Sequence, residues 1–199
     1  MAGPSLRLLE GLKRRYAEPH RAYHTWEHIE ALLRHFRTYE FSLADPAAVL
    51  WAIYWHDAVY DPIAKDNEEK SASLLLSEAG NEAAKATLEK ASIYIRATRY
   101  HQLPEELPAD ALSDCGLFLD LDLSILAAPS EVFDTYEAAI RREYAFVPED
   151  RFRQGRGTIL KDFLRRPRLY FSAAIPETWE TLARANLRRS IAMLSGDAT

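Results

Sequence analysis

The sequence predicts an all-α protein, a single helical bundle. Three observations carry this expectation. Only seven glycines occur in 199 residues, which leaves few places for tight hairpins. No stretch sustains two-residue apolar alternation, whereas a helical pattern runs nearly throughout. Hydrophobic residues make up 48% and charged ones 28%, ordinary for a globular chain, and the length suffices to bury a core without staples. No internal repeat, low-complexity tract or linker divides the chain, so residues 1–199 are read as one domain.

The first helices are expected over about 5–16, 25–40 and 46–56. The third follows Asp45-Pro46, where a proline in the first turn costs no hydrogen bond. It is apolar on every side, which marks a central helix packed by neighbours all round, and it runs into Trp55-His56-Asp57. Next come about 67–79, closed by Gly80, and about 81–100, ending beside His101. A helix over about 108–121 carries GLFLDLDL. The last three, about 129–146, 149–165 and 176–195, include two opened by Pro129-Ser130 and Pro176-Glu177.

Several function classes are excluded or disfavoured. A net charge of −5 argues against nucleic acid as a partner. The single cysteine, Cys115, rules out an intramolecular disulfide and any Cys-rich zinc site. MAGPSLRLLEGLKRRYAEPH lacks an apolar core of signal-peptide length, and AAVLWAIYW is about half a membrane span. No membrane partner and a cytoplasmic setting are the resulting expectations.

Four places offer donor chemistry. His24 and His28, four apart, share a helix face, with His35 near the same stripe. His56-Asp57 ends the most buried helix. Asp120 and Asp122 sit in an apolar helix end, where acids are costly unless paired or metal-bound. His101 closes a long helix. Each alone is more often a packed or capping residue than a ligand.

Together, in this order on an all-α chain, they resemble the HD superfamily of metal-dependent phosphohydrolases, whose skeleton is H…HD…D. One set of predicted phosphohydrolases in it also shows R-x-Y-H, H-D-x-x-Y-D, D-N-E-x-x-S-A and A-x-x-N-L. Here these stand as Arg21-Ala-Tyr23-His24, His56-Asp57-Ala-Val-Tyr60-Asp61, Asp66-Asn67-Glu68-Glu69-Lys70-Ser71-Ala72 and Ala183-Arg-Ala-Asn186-Leu187. The resemblance spans about residues 5–195 and is specific for fold and metal binding, not for substrate.

It implies an HD-domain fold with His28, His56, Asp57 and Asp122 as metal ligands, and Asp120 as second choice to Asp122. The metal would be one or two divalent ions of manganese, iron, nickel, cobalt or zinc. His101 sits where some members hold a second ion. The reaction implied is hydrolysis of a phosphate ester or nucleotide by a metal-activated water. Asp61, then Glu68, are the candidates to position that water or protonate the leaving group. Arg21, Lys70 and His24 are the candidates to bind phosphate. The partner is a small phosphorylated molecule, nucleotides included, and a homo-oligomer is compatible with the chain. Two alternatives stand beside this: a non-catalytic metal- or nucleotide-binding sensor or interaction module, and a zinc protease reading His24-x-x-Glu27-His28 as H-x-x-E-H.

Overall fold

The computed structural model describes residues 3–196, all helix, turn and loop, with no strand among them. Among the described residues nine α-helices follow one another: α1 Leu6–Tyr16, α2 Trp26–Tyr39, α3 Pro46–Trp55, α4 Asn67–Glu78, α5 Lys85–Ala97, α6 Ala109–Asp122, α7 Ser130–Glu143, α8 Glu149–Arg165 and α9 Glu177–Ser195. Short 3₁₀ turns, Glu40–Ser42 and Leu123–Ala127, follow α2 and α6. Among the described residues no helix is long and apolar enough to cross a membrane.

Each expected helix is present, and the largest shift is at α5. It begins at Lys85, not about 81, because a turn closes from Glu82 N–H onto the Ala79 carbonyl. The Glu82 carboxylate then accepts from both the backbone N–H and the hydroxyl of Ser5, at the start of α1. Gly80, at φ +52°, ends the α4 segment as its lack of a Cβ permits.

The apolar α3 packs against α2, α4, α5 and α6. Its Trp51, Ile53 and Trp55 are fully buried, each worth roughly 1.5–3 kcal/mol relative to exposure. The start of α3 is held from two sides: Asp45 accepts from Ala48 N–H, and the buried Asp114 of α6 accepts from the N–H groups of Ala44 and Asp45. One contiguous core runs from Leu8 to Leu187. It fixes the C-terminal end of α3, and with it His56 and Asp57, against α2 and α6.

Candidate metal centre

Three helices converge on one point. His28 lies in the first turn of α2, whose Ile29 and Leu32 face the core and thereby aim the imidazole inward. His56 caps α3, and Asp57 follows it where the chain turns. Asp122 is the last residue of α6. The Nε2 atoms of His28 and His56 are 3.2 Å apart. Asp122 Oδ1 lies 3.1 Å from His28 Nε2 and 3.4 Å from His56 Nε2. Asp57 Oδ2 lies 3.0 Å from His56 Nε2 and 3.9 Å from His28 Nε2.

These spacings suit a shared ion. Donors about 2.1 Å from one metal lie about 3.0 Å apart across a right angle and about 3.4 Å apart across a tetrahedral one. The chemistry agrees. His56 Nδ1 donates to the Ile53 carbonyl at 2.9 Å, which reserves Nε2 as the lone-pair donor and fixes the ring. Two carboxylates are enclosed here, with no Lys or Arg side chain paired to either among the described residues. Buried anions demand a compensating charge. A divalent cation held by His28, His56 and Asp122, whose donor atoms lie within 4.8 Å of one another, with Asp57 adjoining through His56, fits that demand.

The electrostatics keep the carboxylates available. Burial would raise the Asp122 carboxyl, but His56, His101 and His28 hold it well below the usual range. Asp57 is lowered likewise, against burial, by His56 and His24. Burial lowers His28, whereas at His56 the two aspartates outweigh burial and raise it. His101 adopts the left-handed backbone, φ 46°, which turns its ring toward α6. Its Nε2 donates to Asp122 Oδ2 at 2.9 Å. Arg166 holds this bend by donating to the carbonyls of Tyr100 and His101.

The cluster opens into a cleft of about 710 Å³. One wall carries His24, His28, Asp57, Glu68 and Asp122. The other belongs to α7 and α8, with Ile140, Arg151, Phe152, Arg156, Ile159 and Phe163. Arg156 is held against this wall by Glu137 and the Tyr136 hydroxyl. Arg99 and Arg151 also line the cleft, and neither has an ion pair among the described residues.

Several sequence expectations are corrected. Arg21 is no phosphate binder: its buried guanidinium donates to Glu18 and to the carbonyls of His24, Asp57 and Ala58. Its role is to tie the turn after α3 to the segment before α2. Lys70 points to solvent, paired with Asp66. Asp61 lies outside the cleft, its carboxylate accepting from Ile63 N–H in a loop that Asn67 closes. Asp120 turns away from the cluster and accepts from Phe171 and Ser172 N–H, with burial pushing its carboxyl up to about 7. His35 packs on Trp179. Glu27 is exposed and bonded by Thr25, and His24 Nδ1 is engaged elsewhere, so the protease arrangement does not form.

Glu68 does line the cleft. The residue the motifs left out is Glu143, at the end of α7. It is buried, and its carboxylate accepts from three consecutive backbone N–H groups, from His24 and from Tyr60. A lone glutamate closing an amphipathic helix carries no sequence signal of this. Comparison with known proteins finds no matching family model, curated protein or solved structure.

Proposed function

We propose that this chain is a metal-dependent phosphohydrolase acting on a small phosphorylated molecule. The observation that carries the reading is the cluster of His28, His56 and Asp122, with Asp57 against His56 and no Lys or Arg paired to either acid among the described residues, at the floor of a cleft rimmed by uncommitted arginines. The resemblance of the sequence motifs to the HD superfamily, carried in part by the same residues, points the same way. A divalent ion bound there would acidify a water and neutralise a phosphoryl oxygen.

The chain's own residues supply the rest. His28, His56, Asp57 and Asp122 hold the ion. His101, donating to Asp122 Oδ2, orients that carboxylate. Arg99 and Arg151 neutralise the incoming anion, and Arg156, fixed by Glu137, contributes charge from deeper in the wall. Phe152, Phe163 and Ile159 exclude water around the organic part of the ester.

The test is elemental analysis of protein purified without chelator, beside the double variant His56→Ala, Asp57→Ala, followed by phosphate release from a panel of esters. About one or two transition-metal ions per chain, lost in the variant, with metal-dependent turnover, is the expected result. Metal uptake without turnover of any ester would make the chain a binding module. No uptake would overturn the reading.

A further inference from the structure

The Glu143 carboxylate makes five hydrogen bonds, three to a loop backbone and two to side chains. Oε1 accepts from the backbone N–H groups of Ala22, Tyr23 and His24 at 2.7, 2.8 and 3.0 Å. Oε2 lies 2.7 Å from His24 Nδ1 and accepts from the Tyr60 hydroxyl at 2.9 Å. Its side chain is fully shielded from solvent. A carboxylate in this setting stays ionised: burial would raise it, but His24 and the backbone donors bring it down to about 2.

An ionised carboxylate can only accept, so His24 Nδ1 is the donor and its proton is committed. The ring is clamped as well, stacked on Tyr60 at 4.2 Å and set edge-on to Tyr23 at 5.1 Å. That leaves Nε2 as the one ring nitrogen without a partner among the described residues, on a side chain that lines the cleft and keeps about a fifth of its surface exposed. His24 is hydrogen-bonded to none of the four proposed ligands. The arrangement is that of a proton-transferring imidazole oriented by a buried acid.

We infer that Glu143 is a positioning residue that holds His24 so that Nε2 delivers a proton to the leaving oxygen of the phosphate ester. The inference rests on the phosphohydrolase reading and deepens it. As the water's oxygen bonds to phosphorus, the bond from phosphorus to the leaving oxygen breaks. The step starts from the imidazolium, with Nδ1–H held by the Glu143 carboxylate and the second proton on Nε2; the Nε2 proton passes to that oxygen and leaves the neutral ring. The proton shed by the water returns to Nε2 through solvent in the cleft, so each product carries one.

A proton donor matters most when the leaving group is poor. The experiment compares phenyl phosphate with p-nitrophenyl phosphate on the metal-loaded full chain, for wild type, His24→Gln, Glu143→Gln and Glu143→Asp. His24→Gln should lose about a hundredfold in kcat on phenyl phosphate and less than about fivefold on p-nitrophenyl phosphate, with metal content unchanged. Glu143→Gln should show the same selective loss, and Glu143→Asp should recover part of it. Should Glu143→Gln fail to fold, His24→Gln alone decides. Equal losses on the two esters, or none, would overturn the pairing while leaving the phosphohydrolase reading intact. Wild type inactive on both esters with every metal tried would overturn both.

Discussion

Across the cleft, the wall formed by α2, α3 and α6 keeps His28 and His56 at 6% and 1% exposure, whereas α8 on the opposite wall presents Ile159 at 48%, and its Arg151 is exposed too. On the proposed function, the difference follows from what each wall would have to do. Converging donors must be held within a few tenths of an ångström, which takes packed helices and hydrogen bonds behind each ring. A wall that admits a soluble anion must stay hydrated until the ligand arrives, and its arginines must remain uncommitted. The first wall is therefore rigid and anionic, and the second is open and cationic.

Breaking the donor wall should have the largest effect. Asp57→Ala removes a carboxylate that no neighbour can replace. Metal content should fall from about one or two ions to none and turnover by about a thousandfold or more, while circular dichroism stays helical because Asp57 lies beyond the end of α3. Retained metal in that variant would remove the central premise.

Weakening the cationic lining of the cleft, Arg151 of α8 and Arg99 after α5, should act on binding alone. The double variant Arg99→Ala, Arg151→Ala is expected to raise KM by about tenfold at unchanged metal content, and raised salt should weaken binding to wild type more than to the variant. A fall in kcat with constant KM would contradict the assignment of these arginines to substrate capture.

The seam between the walls is Glu143, and acid sharpens its role. Its folded-state value of about 2 lies below the usual 4.5, so its contribution to stability is complete above about 4.5 and fades as pH falls toward about 2. Thermal unfolding measured across that window should show wild type losing stability more steeply than Glu143→Gln. At pH 7 the variant should already be weaker by about 2 kcal/mol, the scale of lost bonds to a buried charge. Parallel acid profiles would mean that Glu143 does not carry the linkage.

The smallest effects test the residues that the structure sets apart from both walls. Asp61→Asn, Lys70→Ala and Glu27→Gln should each leave kcat/KM within about twofold, because Asp61 and Glu27 bond locally and Lys70 reaches only Asp66. A loss of orders of magnitude in any of them would put it back in the chemistry.

Much of this was legible in the sequence. The helices appeared because glycine is scarce and the apolar pattern is helical, and the enclosure of His56 followed from an α3 with no polar face. The structure places several of the residues singled out in the sequence in roles other than those expected of them. Arg21 and Asn186 are brackets: Arg21 holds the carbonyls of Asp57 and Ala58, and Asn186 donates to those of Leu126 and Ala128, just beyond Asp122. A motif records that a residue type matters at a position. It does not say whether the side chain faces a ligand or the backbone of its own chain.

The sequence by itself determined the helical class, the core helix and the kinds of donors, since these depend on residue type and local periodicity. Residue type left Asp120 and Asp122 alike, and the tertiary structure places Asp122, the first choice from the resemblance, beside the histidines, because the two differ in direction by two helical steps and not in chemistry. The same holds for Glu143, which meets His24 across 119 residues of chain. Contacts of that span are set by how helices pack, and no spacing along the sequence encodes them.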